Sequence, residues 1–447
     1  MAKKPPKINV ETYLLAQRSG RFTQAQSLLI ATAGLVQPAR TSSGDIRNGR
    51  PMKLRGGQGG AGSQGAGGPA LLPLSSRIVY IADSITANRG FPGYADWSQF
   101  FTRGRFYGRP VGSNGLGPTG WNQGVVGNTT DQVIARLQNV IDEQPSAVVL
   151  GPLGTNDIGA NSRDAAYITT RKRTIIDTLK AGMPGVKIFM CTMIPRIAAG
   201  WTGDAVKAQV IAWEIAQTDV TVVRTDLAIT DPATQLQADG THPNGLGAQP
   251  MGTVLAAALN AAAVSDSILY ARPTAPAENL FLNPFFVGGS TVATSWTFFQ
   301  AANGLTKTPS KVIFEGNEAQ KIVWSGTASA NVADNLNQNI TPPGGLAGDL
   351  FECWVEVLVN RYTGFRGIGL GAGNNTLAYS AMSVTSQDTV DQSPVPFRGV
   401  LRAPPSPLLA NGGTLNPRLT FIPANGAVCD AEVLVLSSGY RKVPTGQ

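Results

Sequence analysis

The sequence predicts a three-layer α/β domain, a parallel sheet with helices on both faces, followed by an all-β sandwich or jelly roll. Three observations carry this. Between residues 77 and 265 short apolar runs alternate with amphipathic stretches of helical period, the pattern of a parallel sheet covered on both sides. From about residue 271 helical periodicity nearly vanishes, and short alternating runs separated by turn residues replace it. The 447-residue length exceeds one ordinary domain. The chain therefore divides into an arm and linker (1–76), an α/β domain (77–270) and a β-sandwich (271–447). With 42% hydrophobic and only 14% charged residues, the composition suits a globular, glycine-rich protein rather than a disordered one.

The arm comes first. "VETYLLAQ" and "TQAQSLLIATAGLV" have mixed helical character. The second lies too deep in the chain, behind Arg18 and Arg21, for a secretory signal. "RGGQGGAGSQGAGGPA" (55–70) reads as a flexible or extended linker; no strand precedes it and no GK[ST] follows, which excludes a phosphate loop. Residues 1–76 hold ten Lys and Arg against Glu11 and Asp45, so the net charge of +8 belongs to the arm and the rest of the chain is balanced. That suggests an acidic docking partner or a nucleic acid, with a solubilising arm as the alternative; the α/β region itself gives no nucleic-acid signature, which makes nucleic acid the lesser of the two partners. No apolar run reaches the roughly 18 to 20 residues of a membrane span.

The α/β elements follow in order. "RIVYIADS" (77–84) is a strand that hands over to a helix at Ser84. "TTDQVIARLQNVIDEQ" (129–144) reads as one helix with Val133, Leu137 and Ile141 on a common face. "SAVVLGPLGTND" (146–157) is a strand ending in a polar loop, and "YITTRKRTIIDTLKAGMPG" (167–185) a helix stopped by Gly and Pro. "VKIFMCTMIP" and "VTVVRTDLAIT" are strands; "VKAQVIAWEIAQT" and "GLGAQPMGTVLAAALNAAA" are helices. In the last third, "QKIVWSG", "LFECWVEVLV", "PRLTFIP" and "AEVLVLSSG" read as sandwich strands. "GIGLGAGNN" (367–375) is a strand and turn, because no βαβ unit surrounds it. Cys191 is expected as a core thiol; Cys353 and Cys429 lie in one domain, and free thiols are the favoured state. One histidine and no close cysteine pair argue against zinc.

Ligands bind beyond the carboxyl ends of parallel strands. The polar loops there are "IADSITA", "NQGVVGNTTDQV", "GTNDIG" and "DGTHPNG", the last with the only histidine of the chain. Each offers a residue suited to acyl transfer. Ser84 is a nucleophile in need of a base, and His242 can take and return its proton. Asp239 can fix the imidazole tautomer. The N–H groups of Ser84 and Gly127 and the amide of Asn156 can receive a developing oxyanion. Asp83 reads as a structural hydrogen-bonding residue; Asn156 and Asp157 also suit a turn or helix cap.

Taken together, "ADSIT", "NQGVVGNTT", "GTND" and "DGTHPNGLG" resemble, in order, the four sequence blocks of the SGNH (GDSL-type) hydrolases, over about residues 77–265. The resemblance implies a flavodoxin-like α/β/α fold and a serine esterase without metal or cofactor. It implies a triad of Ser84, His242 and Asp239, with Ser84, Gly127 and Asn156 as oxyanion donors. Ala82 stands where the family usually has glycine, and no GxSxG elbow occurs. Trp97, Trp121 and Tyr107 fall in a long loop-rich region between the first two blocks; they are candidates for lining a sugar cleft, Trp121 and Tyr107 foremost, with core packing or loop anchoring as the alternative.

"ENLFLNPFFVGGSTVATSWTFF" is similar to the opening of carbohydrate-binding jelly-roll modules. Its aromatics and those downstream (Trp296, Phe298, Trp324, Trp354) are candidates for sugar stacking, with sandwich core as the favoured role. The order of arm, linker, esterase and sandwich looks like that of a bacteriophage tail, spike or fibre protein. It implies a virion location, anchoring of the arm to other virion proteins, and a homo-oligomer, for which a fibre favours a trimer although no heptads support one. The expected activity is removal of O-acyl groups, O-acetyl foremost, from a bacterial surface polysaccharide. The rival readings are a glycan-binding or structural virion protein with little turnover, and a free, extracellular bacterial lipase or thioesterase.

Overall fold

A computed structural model describes residues 71–72, 76–87, 93–103, 105–107, 122–264, 279–371, 393–403 and 406–442. The basic arm and Trp121 lie outside the described residues, as does the end of the "GIGLGAGNN" segment beyond Gly371. Of Tyr107 only the backbone is described.

The first sheet is built around β1 (Ser76–Ala82). β4 (Ala147–Leu150), β5 (Lys187–Cys191) and β6 (Thr221–Val223) follow on one side. On the other, β2 (Phe106–Tyr107) pairs with the start of β1, and β3 (Asn122–Gly124) with its end. Every pair is parallel. Side chains alternate across a strand, so Ile78 and Tyr80 enter one core while Val79 and Ile81 enter the other. Burial on both faces is why these strands read as continuous apolar runs. Strand order reverses between β1 and β4, which opens a crevice at their carboxyl ends.

Nine α-helices occur among the described residues of this part. They are α1 (Ser84–Ala87), α2 (Tyr94–Phe101), α3 (Thr130–Ile134), α4 (Leu137–Asp142), α5 (Thr155–Asn161), α6 (Ala165–Gly182), α7 (Asp204–Ile215), α8 (Pro232–Gln235) and α9 (Gly245–Ala261). α9 covers one sheet face with Met251, Leu255 and Leu259. α3, α4 and α6 cover the other with Val133, Leu137, Val140, Ile175 and Leu179.

Three expectations change here. The segment 129–144 is two helices, broken where Arg136 takes φ −119° as its side chain turns under the sheet. The region between the first two blocks contains α2, whose Trp97 is fully buried and lines no cleft. The final strand is cut to three residues, and a 3-10 turn (Thr225–Leu227) replaces its end.

The C-terminal part is all β, and its described strands form two antiparallel sheets. One has the order β12 (Phe365–Gly371), β15 (Arg418–Pro423), β10 (Asp334–Asn337), β7 (Thr297–Phe299). The other runs β13 (Phe397–Arg402), β11 (Leu350–Thr363), β16 (Val428–Lys442), β9 (Asn317–Thr327), β8 (Thr306–Phe314), with β14 (Ser406–Pro407) also on β11. Their inner faces share one core.

The aromatics considered for sugar stacking are mostly spent there. Trp296 and Trp324 are buried in this core and Phe298 packs against it. Trp324 Nε1 donates to the buried Asp334 carboxylate at 2.9 Å. Trp354 faces outward, lies across Gly439 and carries the Arg441 guanidinium 5.6 Å from its ring centroid. All three cysteines are buried and free.

The same core reaches into the α/β part: Trp97 and Phe100 of α2 contact Phe397 of β13 at ring separations of 4.9 and 5.7 Å.

Candidate active site

The loops at the carboxyl ends of β1, β3 and β4 meet the segment between α8 and α9. β1 ends at Ala82, and Asp83 starts the turn. Its Oδ1 accepts the Ile85 N–H at 3.0 Å, which holds α1 in place and puts Ser84 at the first helical position. N–H groups of a first helical turn lack intrahelical partners, so the Ser84 N–H is free of the helix ladder and available to a ligand beyond the strand end. Close packing fixes this turn. A Cβ on Gly124 of β3 would lie 2.3 Å from the Ala87 nitrogen, so only glycine lets β3 reach α1.

His242 and Asp239 occupy a tight turn before α9. Asn244 caps that helix, its Oδ1 accepting from the N–H groups of Leu246 (2.9 Å) and Gly247 (3.2 Å). The Gln237 N–H donates to the His242 carbonyl at 2.7 Å. Gly240 has φ +62°, and a Cβ there would strike the Ala198 nitrogen at 2.6 Å. The turn is thus pinned against the loop that follows β5.

The side chains then form a chain of hydrogen bonds. His242 Nδ1 lies 2.5 Å from Asp239 Oδ2, and Nε2 lies 2.7 Å from Ser84 Oγ, a residue 158 positions away in sequence. An ionised carboxylate only accepts, so Nδ1 carries the proton and Nε2 is left to accept from the serine hydroxyl. Partial burial raises the Asp239 pKa, but hydrogen bonds from the His242 backbone and ring and from the Thr241 N–H outweigh it. The net shift is downward, which keeps the carboxylate ionised. A serine with this partner can attack an acyl carbon, and the imidazole can receive and return the proton.

The other two residues expected to donate, Gly127 and Asn156, stand on two adjoining loops. Asn156 is on the first turn of α5, where one amide N–H donates to the Asn128 carbonyl at 2.9 Å. Its amide has a second hydrogen available. Gly127, the neighbour of Asn128, is exposed at φ +77° with nothing within 4 Å of the Cβ position. Asp157 is buried and ties α5 to α3: it accepts from Thr130 Oγ1 at 2.6 Å and from the Thr130 N–H at 3.0 Å.

Arg136 is the residue that the sequence pattern hid. Its guanidinium donates to Ala82 O (2.6 Å), to Asn128 Oδ1 (2.9 Å) and to Gln123 O. One side chain thereby joins the ends of β1 and β3 to the loop that holds Asn156. Burial lowers its pKa to about 10, against the raising effect of Asp83. Burial also pushes the Asp83 carboxyl up to about 7, despite the Ile85 N–H and the charge of Lys172. Among the described residues no group of His, Cys, Asp and Glu is arranged to hold a metal, and no helix is long and apolar enough to cross a membrane.

Residues 83–249 match the GDSL-like Lipase/Acylhydrolase family. Three solved structures illustrate the resemblance. A carbohydrate esterase family 3 protein from Talaromyces cellulolyticus is 26% identical over 40% of this chain and 94% of its own, with a TM-score of 0.32. A family 3 carbohydrate esterase from Clostridium thermocellum is 21% identical over 40% and 92%, with a TM-score of 0.33. A putative GDSL-like lipase from Parabacteroides merdae is 18% identical over 43% and 100%, with a TM-score of 0.34. No curated protein matches the chain. Over residues 83–249 the α/β part is thus similar to the GDSL-like lipases and acylhydrolases, and this match together with the Ser84–His242–Asp239 geometry makes the protein a serine esterase.

Proposed function

We propose that the protein removes O-acetyl groups from a bacterial surface polysaccharide as part of a phage tail fibre or spike, with Ser84 as nucleophile. The observation that carries the chemistry is the unbroken hydrogen-bond chain from Ser84 through His242 to Asp239. Ser84 Oγ attacks the acetyl carbonyl carbon while His242 Nε2 takes its proton. The negative oxygen of the tetrahedral intermediate accepts from the N–H groups of Ser84 and Gly127 and from the Asn156 amide. The intermediate collapses to acetyl-serine, and His242 gives its proton to the departing sugar oxygen. Water, deprotonated by His242, then attacks the acetyl-serine; the second tetrahedral intermediate collapses to acetate as His242 returns the proton to Ser84 Oγ.

The polysaccharide and the virion are argued from the architecture: a basic arm and a glycine-rich linker precede the esterase, and an all-β part follows it. The arm would dock on other virion proteins, and the assembled form would be a homo-oligomer.

The test of the chemistry is hydrolysis of p-nitrophenyl acetate by the full chain beside Ser84→Ala and His242→Ala. A triad acting as a unit loses roughly three to six orders of magnitude in kcat with either change. Equal slow rates in all three proteins would sink the assignment. The location is tested by probing purified particles for the chain, and its absence from them refutes the virion reading.

A further inference from the structure

The loop after β5 carries a cation that the hydrolytic steps do not use. Arg196 lies between the two halves of the site. On one side, its neighbour Ile197 donates its N–H to the Gly240 carbonyl at 2.8 Å, next to Asp239. On the other, its Nη1 sits against Gly159 of α5, only 2.7 Å from where a Cβ would stand. Gly159 and Asn156 are three residues apart, so they share a helix face about one turn, roughly 5 Å, apart. The guanidinium is stacked 4.5 Å from the centroid of the Trp201 ring, which holds its plane.

Several arginines of the α/β part use their donors within the protein. Arg77, Arg136, Arg171, Arg173 and Arg224 all spend donors on protein oxygens or carboxylates. Arg196 enters no ion pair among the described residues, and its buried Nε has no hydrogen-bond partner. Beside it Ile197 is 53% exposed, an apolar side chain left at the same rim. The guanidinium as a whole is only half-buried, so its terminal nitrogens are the donors open to a ligand, with no protein carboxylate set against them among the described residues. A fixed planar guanidinium matches a carboxylate, which it binds through two parallel N–H···O bonds.

We propose that Arg196 is a specificity residue that binds a sugar carboxylate next to the scissile ester, so that the substrate is an O-acetylated acidic polysaccharide. This rests on the esterase reading above and narrows its substrate class. Trp201 sets the plane of the guanidinium, and the missing side chain at Gly159 leaves the room for it on the α5 face.

The experiment compares the full-length wild type with Arg196→Ala and Arg196→Lys on three substrates. These are O-acetylated polygalacturonate, the same polymer with its carboxyls methyl-esterified, and p-nitrophenyl acetate. Wild type is expected to prefer the free acid to the methyl ester. Arg196→Ala should lower kcat/KM on the acidic polymer, chiefly through KM, by about 10- to 100-fold more than on p-nitrophenyl acetate, the worth of a charge-assisted pair. The preference over the methyl ester should vanish with it. Lysine should recover only part, as a point charge without the planar fork.

Equal losses on all three substrates would show Arg196 to be structural and overturn the proposal. So would equal wild-type rates on acid and methyl ester, or hydrolysis of p-nitrophenyl acetate with none of the acidic polymer. Failure of the underlying esterase reading looks different: Ser84→Ala would then match wild type on p-nitrophenyl acetate.

Discussion

Asp83 and Asp239 are two carboxyls of one site with opposite surroundings. Asp239 is half-exposed and accepts three N–H donors, two from backbone and one from the ring, so its pKa falls. Asp83 is buried, accepts the Ile85 N–H through Oδ1, and has no partner for Oδ2 among the described residues. Its folded pKa of about 7 lies above the roughly 3.9 of an unfolded aspartate. Between those values the folded protein holds a proton that the unfolded chain has released. Asp83 therefore contributes stability that is full below about pH 4 and is lost as the pH rises through about 7. In Asp83→Asn that dependence should be gone. The denaturation midpoint of the variant should fall less than that of wild type between pH 4 and 7.5, and parallel curves would refute the assignment.

At the scale of elements, the α3–α4 break shows how a helix is interrupted for the sake of the site. The capping box at Thr129 and Gln132 starts α3 correctly, and Val133 and Leu137 keep the apolar face continuous across the gap. The interruption comes from Arg136, whose three oxygens lie on β1, β3 and the loop between β3 and α3. On the proposed mechanism this makes it a positioning residue for the oxyanion side. Arg136→Ala is expected to lower kcat on p-nitrophenyl acetate by about 10- to 100-fold with KM little changed, since small misplacements of catalytic donors have effects of that size. Arg136→Lys should restore a fraction of the rate. A variant that melts earlier but keeps its kcat would assign the residue to stability alone.

For the whole molecule, the contact between α2 and β13 is the notable joint. Phe397 is 4% exposed and meets Trp97, Phe100 and Tyr362, so the sandwich core and the helix layer are continuous. Gly399 makes the approach possible, because a Cβ there would stand 2.4 Å from the Phe100 ring. Gln249 of α9 adds a bond from Nε2 to the Pro394 carbonyl at 2.9 Å, seven residues beyond His242. Phe397→Ala should cost about 3–5 kcal/mol at this joint. Calorimetry should then resolve two unfolding transitions, the sandwich melting first and the esterase rate following the second. A single transition lowered as a unit would show the two parts to be more tightly coupled than this contact alone explains.

Much of the architecture was legible in the sequence because it is written locally, and so were the loops that carry the residues proposed to react. A strand buried on both faces must be apolar throughout, and a helix must repeat at 3.6, so β1, β4, β5, α6 and α9 are visible as runs of residues. Ser84, Gly127, Asn156, Asp239 and His242 stand in short loops whose residue types suit one chemistry. Tertiary structure alone decided what those elements meet. It brought Ser84 to His242 across 158 residues. It sent Trp97, Trp296 and Trp324 into the core, turned Arg136 under the sheet and left Arg196 on Trp201 without a partner oxygen. The physical reason is that periodicity fixes which face of an element is apolar, while the surface covering that face comes from residues far away in the chain.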